Sequence, residues 1–371
     1  MNTRRVYPRT FEQAFKSLTL DGRTLSPFEA YQHFTKLSDK RRKDETWKED
    51  LSALIVQLAM QAGKALPAFT SGTTGPPKLI RIPRRDLVRS ARLTADAFGL
   101  NEGDRALLCL PCTYIAGKMM VVRAMALGLD LHVIDPRGSV LDNLMVRDAF
   151  RFTAMVPLQL HRAIQEDRKR VEAQFHTILL GGGPVSQALE EDLQGLRTSV
   201  FQGYGSTETV THVALRRVNG PGRSERYHAI GDVSFSTDHR GCLVVNTPHL
   251  ARKQQVTNDL VDLKDATQFR WRGRADHVIL SGGKKIYPEE LESRTAGLIP
   301  YAHFFTAVPD DRLGQAVALV LETEEPAERV VDDVVQSLIK VLGMHEMPRR
   351  VTAMRTFKRT TSGKVVRTLL P

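Results

Sequence analysis

Short apolar segments, each followed by glycine or hydroxyl residues, recur between residues 65 and 205 and constrain the fold more than any other feature of the chain. Most are separated by stretches long enough for a helix that crosses from one strand to the next, which predicts βαβ units and a largely parallel sheet. Open α/β sheets bind ligands beyond the carboxyl ends of their strands, so the polar residues that follow the strands predict a ligand site. The segments are ALPAFT, RALLCLP, LHVID, FTAMVP, HTILLGGGP and SVFQGYG.

The pattern changes in the second half of the chain, which predicts a second domain. At 371 residues the chain exceeds the size at which single cores stop growing, about 250–300 residues. After Arg223 short strands with tight turns follow, and DHRG at residues 238–241 can turn a hairpin. We predict an α/β large domain over residues 1–274, with mainly parallel sheets and flanking helices, and a small α+β domain over residues 275–371.

The apolar segments are too short or too interrupted to span a membrane. Lys118 and Arg123 interrupt the longest apolar stretch, whereas a bilayer span needs about 20 apolar residues. No signal peptide is recognised at the amino terminus, so we predict a cytoplasmic protein. The cysteines are expected to be reduced and buried because three of them cannot pair without a remainder; they are Cys109, Cys112 and Cys242.

The formal net charge of +11 predicts anionic ligands, among which ATP, coenzyme A and nucleic acid are candidates. Aromatic residues make up only 6% of the chain, which provides little for base stacking. A nucleic-acid-binding protein is therefore the weaker alternative, and neither nucleic acid nor a membrane is an expected partner. A homo-oligomer is possible, and the oligomeric state is left open.

The segment FTSGTTGPPK, residues 69–78, predicts a loop that binds phosphate. Gly72 and Gly75 allow backbone N–H groups to converge, and Lys78 adds a mobile positive charge. The segment is not a Walker A motif, because Pro77 stands where the second glycine is required and Leu79 follows the lysine. A surface turn is the structural alternative. The hydroxyl donors are Thr70, Ser71, Thr73 and Thr74.

Two further strand ends carry residues suited to a nucleotide. The run GGGP at residues 181–184 begins with three residues that lack a β-carbon, so a flat ring could approach the backbone. In GYGSTE, residues 203–208, Tyr204 offers a ring face, Thr207 a hydroxyl, and Glu208 a carboxylate that could hold Mg²⁺. Together with residues 69–78 these ends predict a nucleotide crevice. The glycines of the first run are Gly181, Gly182 and Gly183.

Six ordered segments resemble those of the adenylate-forming superfamily of acyl- and aryl-CoA ligases, luciferases and adenylation domains. FTSGTTGPPK resembles its phosphate loop, GGGP and GYGSTE its adenine and magnesium segments, and TNDLVDL its ribose-binding segment. WRGRADHVILSGGKKIYPEELE is similar to its hinge and coenzyme loop, and TSGKVVRTLL to the segment with its carboxy-terminal lysine. The resemblance covers residues 69–371 and implies an AMP-forming acid–thiol ligase that uses ATP, Mg²⁺ and coenzyme A.

The resemblance implies roles for individual residues of the nucleotide site. Asp259 and Arg274 would bind the ribose hydroxyls, which a carboxylate and a planar guanidinium are suited to do. Asp276 would be the hinge, and Lys364 would contact the acid and the α-phosphate. Without the resemblance, a cap or an ion pair is the favoured explanation of Asp259 and Arg274, and a solvated tail is the favoured explanation of Lys364. The expected catalytic residues are Lys364, Glu208 and Lys78, with Glu208 also the expected metal ligand.

The resemblance also implies two half-reactions in two arrangements of a mobile small domain. Attack of a carboxylate on the α-phosphate of ATP gives an acyl-adenylate, and the thiol of coenzyme A then displaces AMP. Rotation of the small domain would exchange the segment of Lys364 for a coenzyme loop. That loop is expected to include Gly282, Gly283 and Lys284.

The segment YIAGKMM, residues 114–120, and the short stretch ahead of the phosphate loop are similar to o-succinylbenzoate-CoA ligases of menaquinone biosynthesis. The substrate of that family has two carboxylates, and the aromatic one needs a cationic or hydroxyl partner, for which Lys118 is a candidate. An outward-facing lysine is the structural alternative. Another aryl- or acyl-CoA ligase and an enzyme that loads carrier proteins remain open. The acid site is expected at Tyr114, Lys118, Gly205 and Ser206.

Overall fold

The computed structural model describes residues 7, 9–37, 46–59, 65–69, 78–325, 327–359 and 365–367. Within these ranges the helices are α1 (Pro27–Leu37), α2 (Thr46–Ala59), α3 (Arg84–Phe98), α4 (Ile115–Leu127), α5 (Pro157–Gln174), α6 (Gln187–Asp192), α7 (Pro288–Thr295) and α8 (Ala327–Ile339), and a 3₁₀ turn covers Leu141–Asn143.

The strands of the described ranges are β1 (Leu18–Leu20), β2 (Arg23–Leu25), β3 (Ala65–Phe69), β4 (Leu79–Pro83), β5 (Arg105–Leu108), β6 (Asp130–Val133), β7 (Phe150–Met155), β8 (Phe175–Leu180), β9 (Ser199–Gly205), β10 (His212–Arg217), β11 (Tyr227–Ala229), β12 (Ser234–Thr237), β13 (Cys242–Asn246), β14 (Gln254–Asp265), β15 (Gln268–Arg274), β16 (Ile279–Ser281), β17 (Lys284–Ile286), β18 (Ala302–Asp310), β19 (Gly314–Glu322) and β20 (Arg350–Met354).

One large sheet joins thirteen of the described strands in the order β12-β13-β14-β15-β11-β10-β9-β8-β7-β5-β6-β1-β2. The pairings from β1–β6 to β8–β9 are parallel. The remaining pairings, from β9–β10 to β12–β13 and at β1–β2, are antiparallel. The predicted α/β class is confirmed, although the parallel arrangement is limited to one half of the sheet.

The segment ALPAFT does not belong to the large sheet, contrary to its reading as part of the βαβ series. Its residues form β3, which pairs with β4 in a separate two-stranded antiparallel sheet. β3 ends at Phe69 and β4 begins at Leu79, so this ladder holds the two ends of the predicted phosphate segment. Residues 70–77 of that segment lie outside the described residues.

Helices α1 to α6 contribute to the apolar cores beside the parallel half of the sheet. α4 is buried from Met119 to Leu127 and contacts α3 and the strands β1, β5, β6 and β7. α1 begins with a capping box, since Glu29 Oε2 accepts hydrogen bonds from the backbone N–H and the hydroxyl of Ser26 at 2.8 and 2.7 Å. Ser186 caps α6 with its side chain, because its hydroxyl accepts from the backbone N–H of Leu189.

A second, five-stranded sheet contains β16 to β20 and has its own core with α7 and α8. β19 lies at its centre, antiparallel to β18 and parallel to β20. β15 of the large sheet ends at Arg274 and β16 of the small sheet begins at Ile279, so the chain passes between the sheets through residues 275–278.

In the part of the chain that the structure describes, every helix is too short or too polar to span a bilayer.

Candidate active site

A cleft of about 2000 Å³ lies where the parallel strands end. Because β7, β8 and β9 are neighbouring parallel strands, the residues that follow them meet at one edge of the sheet. The cleft is lined by these strand ends, by β14 and β15, and by α7 of the small domain. It therefore lies between the two sheets.

The GGGP run forms one wall of the cleft immediately after β8. Gly181 donates its backbone N–H to the carbonyl of Met155 at 3.1 Å, and the backbone of Gly182 is left-handed with φ of 79°. The side-chain amide of Gln202 donates to the carbonyl of Gly183 at 3.3 Å. A β-carbon added at Gly181 or Gly183 would have no other atom within 4 Å, so these backbones border open space.

A buried network holds Gln202 in place. Arg216 donates its Nε–H to Oε1 of Gln202 at 2.7 Å and also contacts the carboxylate of Glu190. Arg223 contacts the same carboxylate at 3.2 Å. All four side chains border the cleft, so one hydrogen-bonded chain connects α6, β9 and β10 behind the glycine run.

The residues predicted to bind ribose lie together beside the end of β9. Tyr204 donates its hydroxyl to Oδ2 of Asp259 at 2.5 Å, and Nη1 of Arg274 lies 3.6 Å from Oδ1 of Asp259. Arg274 also donates two hydrogen bonds to Asp276, at 3.1 and 3.3 Å. Burial and the neighbouring Asp259 carboxylate raise the pKa of Tyr204 well above its usual value, so its hydroxyl remains a donor. The predicted ribose pair and the predicted hinge residue are thus in direct contact.

The predicted metal-binding strand end lies beside Phe69, the first residue of the predicted phosphate segment. The hydroxyl of Thr207 donates to the carbonyl of Phe69, the last residue of β3, at 3.4 Å. Lys78 and Glu208 both line the cleft, and Glu208 is half-buried. The remaining predicted phosphate donors and the predicted catalytic lysine lie outside the described residues; they are Thr70, Ser71, Gly72, Thr73, Thr74, Gly75 and Lys364.

The single carboxylate of Glu208 fits Mg²⁺ only in company with a phosphate. The described residues contain no cluster of three or more His, Cys, Asp or Glu side chains that could hold a metal by themselves. Mg²⁺ is commonly bound by one or two carboxylates, substrate phosphates and water, which suits an oxygen donor such as Glu208 at the edge of an open cleft. Glu208 therefore remains the predicted ligand for a magnesium–nucleotide complex.

Arg123 is a cleft residue that sequence reasoning did not select. It lies on α4, is 1% exposed, and borders the cleft. Its Nε and Nη2 donate to the hydroxyls of Thr94 and Thr211, both at 3.1 Å, and its Nη1 contacts the sulfur of Met120 at 3.6 Å. Among the described residues no carboxylate pairs with it, and burial lowers its pKa to about 9. A guanidinium has five N–H groups, so two remain without a protein acceptor in these ranges.

Lys118, the predicted partner of the aromatic carboxylate, is half-buried in the first turn of α4. It is not among the described residues that line the cleft. Burial lowers its pKa, and its charge interacts with Cys112 and with Asp50 of α2. The aromatic residue predicted beside it, Tyr114, does line the cleft at the start of α4.

The other predicted acid-site residues follow Tyr204 at the end of β9. Gly205 and Ser206 both line the cleft. A β-carbon at Gly205 would lie 2.2 Å from the carbonyl oxygen of Thr211, so only glycine fits against that backbone. The backbone N–H of Ser206 donates to the hydroxyl of Thr209 at 2.8 Å.

The predicted coenzyme loop is the tight turn between β16 and β17. Gly282 and Gly283 have φ of 55° and 78°, which a two-residue turn with both residues left-handed requires. Lys284 is exposed at the start of β17. None of these three is among the described residues that border the cleft, so in this arrangement the turn lies away from it.

The large sheet, its strand-end cleft and the small domain beyond Arg274 together define the architecture of an adenylate-forming enzyme. Residues 34–248, more than half of the chain, match the family described as AMP-binding enzyme. The chain therefore belongs to that family, and the family predicted from the sequence is confirmed.

The relatives found by comparison are acid–CoA ligases. A curated 2-succinylbenzoate–CoA ligase of Bacillus subtilis (strain 168) is 26% identical over 92% of this chain and 75% of its own length. The long-chain-fatty-acid–CoA ligase FadD13 of Mycobacterium tuberculosis is 24% identical over 81% of this chain and 66% of its own length, slightly less than two thirds.

A solved structure resembles the chain over nearly its whole length. It is the acyl-CoA synthetase (AMP-forming)/AMP-acid ligase II-like protein of Dyadobacter fermentans DSM 18053, which is 34% identical and superposes with a TM-score of 0.57. The match covers 89% of this chain and 94% of that one. These comparisons place the chain in the class of AMP-forming acid–CoA ligases.

Proposed function

We propose that the protein activates o-succinylbenzoate with ATP and transfers the acyl group to coenzyme A. The reaction class follows from the family and its acid–CoA ligase relatives. The identity of the acid, the place in menaquinone biosynthesis and the cytoplasmic location are the proposal. The curated 2-succinylbenzoate–CoA ligase supports the choice of acid. Because it is only 26% identical to this chain, the choice of acid is argued from the residues of the cleft.

The observation that carries the proposal is the unpaired, buried guanidinium of Arg123. Burying a charge without a partner costs free energy, so a buried cation at a binding cleft points to an anionic ligand group. Two hydroxyls and a sulfur hold Arg123, and none of them neutralises it. The aromatic carboxylate of o-succinylbenzoate would supply the missing negative charge with a hydrogen-bond geometry that suits a guanidinium.

The neighbouring histidine strengthens the preference for an anion. His212 borders the same part of the cleft, and its ring nitrogens lie 3.3 and 3.5 Å from the hydroxyls of Thr211 and Thr94. Burial and the positive charge of Arg123 lower its pKa well below the usual value, so His212 is neutral near pH 7. Arg123 thus provides the positive charge at this place.

A long-chain fatty acid, the substrate named for FadD13, is the second candidate. Its apolar tail would leave Arg123 without a counter-ion and would keep the desolvation penalty of the buried charge. The cleft therefore favours an acid with a second carboxylate over an acid with a purely apolar body.

The first half-reaction would join the acid to AMP. A carboxylate oxygen of the succinyl arm attacks the α-phosphorus of ATP, and the bond to pyrophosphate breaks. Tyr204, Asp259 and Arg274 would fix the nucleoside, and Lys78 would stabilise the phosphate charge. Glu208 would hold Mg²⁺, which supplies positive charge to the phosphate oxygens. Lys364 would approach the carboxylate and the α-phosphate from the small domain.

The second half-reaction would form the thioester. The thiol sulfur of coenzyme A, after loss of its proton, attacks the carbonyl carbon of the acyl-adenylate, and AMP leaves with the electrons of the broken C–O bond. The turn of Gly282, Gly283 and Lys284 would have to approach the cleft in this step. The residues between Arg274 and Ile279 would carry the rotation, with Asp276 as the hinge.

The experiment that tests the proposal compares two acids that differ in one carboxylate. Protein, Mg-ATP and coenzyme A are mixed with o-succinylbenzoate or with 4-oxo-4-phenylbutanoate, which has the same activated arm and lacks the aromatic carboxylate. Dodecanoate and benzoate are assayed in parallel, and the thioesters are identified by mass. We expect efficient turnover of o-succinylbenzoate, with kcat/KM at least about 100-fold above that of the analogue.

Equal use of both keto acids would show that the second carboxylate is not recognised. Turnover of dodecanoate alone would replace o-succinylbenzoate with a fatty acid. Formation of an acyl-adenylate without transfer to coenzyme A would favour an enzyme that loads a carrier protein.

A further inference from the structure

Two arginine–glutamate pairs flank the five residues that precede Val365. Arg359 and Val365 form an isolated antiparallel bridge, and the backbone N–H of Val366 donates to the carbonyl of Lys358 at 2.8 Å. The chain therefore leaves residues 360–364 directly beside the point where it enters them. Lys364 immediately precedes Val365 in the sequence.

The first pair anchors the entering strand to the end of β19. Nη1 and Nη2 of Arg359 donate to the two carboxylate oxygens of Glu322 at 2.8 and 2.6 Å. Oε1 of Glu322 also accepts from the backbone N–H of Phe357 at 2.7 Å. The hydrogen bonds from Arg359 and Phe357 lower the pKa of Glu322, so this carboxylate is charged near pH 7.

The second pair anchors the leaving strand to α7 and β18. Nη1 and Nη2 of Arg367 donate to Oε1 and Oε2 of Glu292 at 2.7 and 2.6 Å, and Nη1 also donates to the carbonyl of Phe305 at 3.0 Å. Oε1 of Glu292 accepts from the backbone N–H of Phe305 at 2.9 Å. The side chains of Arg367 and Glu292 are 18% and 21% exposed. Such two-point pairs fix orientation as well as distance.

We propose that Glu322 and Glu292 are positioning residues for Lys364 in the adenylating half-reaction. Each glutamate holds one arginine and one backbone N–H, and the two together fix both strands at the base of residues 360–364. An error of about 1 Å in the placement of a charged group can cost about 100-fold in rate. The inference rests on the proposed function, since the role of Lys364 comes from it.

The same geometry predicts that the thioester-forming half-reaction is unaffected. The predicted coenzyme turn is connected to the opposite end of β19, through the pair Ser281 and Gly314. Eight residues of strand separate Gly314 from Glu322, which corresponds to about 26 Å. Loosening the base of residues 360–364 would therefore leave that turn in place.

A third pair in the small domain provides a matched control. Nη1 and Nη2 of Arg294 donate to Oε1 and Oε2 of Glu346 at 3.0 and 2.6 Å, and Oε2 also accepts from the backbone N–H of Gly343 at 2.8 Å. Glu346 has the same partners as Glu322 and Glu292, one arginine and one backbone N–H, but contacts neither strand at the base of residues 360–364. Loss of the Arg294–Glu346 pair should lower the stability of these elements without a selective effect on adenylation.

The test measures the half-reactions separately in Glu322→Gln, Glu292→Gln and Glu346→Gln. Adenylation is followed by exchange of labelled pyrophosphate into ATP with o-succinylbenzoate, and thioester formation by adding coenzyme A to the synthetic adenylate of that acid. We expect exchange to fall at least about 10-fold in the first two variants, with thioester formation within about twofold of wild type. Glu346→Gln should leave both rates within about twofold.

Equal loss of both half-reactions in Glu322→Gln and Glu292→Gln, or unchanged exchange, would overturn the inference. Arg367→Lys, which keeps the charge and loses the two-point contact, covers the case in which Glu292→Gln fails to fold; it should slow exchange in the same selective manner. Lys364→Ala distinguishes a failure of the proposed role of Lys364 from a failure of the positioning role of the two glutamates. If its exchange is normal, the proposed role of Lys364 fails, whereas slow exchange in Lys364→Ala with normal exchange in the glutamate variants removes only the positioning role.

Discussion

The hydroxyl of Tyr204 donates a 2.5 Å hydrogen bond to Asp259 and so joins the two halves of the large sheet. Tyr204 belongs to β9, the last strand of the parallel half, and Asp259 to β14 of the antiparallel half. The ring of Tyr204 packs edge-on against Phe269 at 5.0 Å, which fixes its direction. One residue thus connects the last parallel strand with the strand that carries the predicted ribose-binding aspartate.

Removing that hydroxyl should weaken nucleotide binding. In Tyr204→Phe the ring contacts remain and the carboxylate of Asp259 loses its donor, which costs about 1–1.5 kcal/mol. We expect the KM for ATP to rise about 10-fold and the KM for the acid to change less than about twofold. Steady-state kinetics with each substrate varied in turn would check this, and a rise confined to the acid KM would contradict it.

Replacing Arg123 should stabilise the protein and weaken its preference for the proposed substrate. Arg123→Met removes a buried charge that lacks a carboxylate partner in the described ranges, so the ligand-free protein should gain about 1 kcal/mol or more in its free energy of unfolding. The preference for o-succinylbenzoate over 4-oxo-4-phenylbutanoate should fall about 100-fold. Urea denaturation and the ratio of kcat/KM values would measure the two effects.

Arg105→Gln is the control for that prediction. Arg105 pairs with Asp148 at 2.8 Å and with Asp21 at 3.3 Å, away from the cleft. This variant should lower stability and leave the substrate preference unchanged. A loss of stability in Arg123→Met together with an unchanged preference would contradict the role of Arg123.

Two glycines of the cleft should respond differently to an added methyl group. In Gly205→Ala the β-carbon would lie 2.2 Å from the carbonyl oxygen of Thr211, so the protein should lose about 1–3 kcal/mol of stability or more. In Gly181→Ala the β-carbon meets no other atom within 4 Å, so stability should stay within about 0.5 kcal/mol while the KM for ATP rises. Thermal unfolding and ATP titration would separate the two, and equal destabilisation would contradict the geometry.

The stability of the small domain should depend on pH through Glu292. Burial raises the pKa of Glu292 from 4.5 to about 6, against the lowering effect of Arg367. The protonated carboxyl of Glu292 therefore contributes to the free energy of unfolding. This contribution is fully present below pH 4.5 and is lost as the pH rises through about 6, a change of about 2 kcal/mol. Relative to Glu292→Gln, the wild type should therefore lose that amount of unfolding free energy between about pH 4 and about pH 7.

Glu346→Gln should show the opposite trend. The hydrogen bond from Arg294 lowers the pKa of Glu346, so the stability from this group is present above 4.5 and is lost as the pH falls. Denaturation of both variants across the same pH range would measure the two slopes. If the free energy of unfolding changed with pH in the same direction for both carboxylates, the pKa direction given for one of them would be wrong.

The convergence of the strand-end motifs could be predicted from the sequence, because neighbouring parallel strands leave their carboxyl ends at one edge. Gly181 follows β8 and Gly205 ends β9, and the two strands are adjacent. The same reasoning failed for the segment that became β3. Its apolar pattern is that of a strand, but the pattern alone does not determine which neighbour the strand pairs with, and β4 lies close in sequence.

The sequence could not decide which cation of α4 faces the cleft. Lys118 and Arg123 are five residues apart, so their side chains point about 140° apart around the helix. Almost every other residue of this helix is apolar and buried, so the pattern gives no direction for the helix face. Only the packing of α4 against α3 and the sheet turns Arg123 towards the cleft and Lys118 towards Asp50.

The position of β1 has a consequence for synthesis of the chain. Thr19 and Leu20 lie beside Asp130 and Leu131 of β6, which leave the ribosome much later. Until then β1 has only its hairpin partner β2, and an isolated two-stranded hairpin is at best marginally stable in water. β1 and β2 are therefore expected to join the sheet only after β6 has been synthesised.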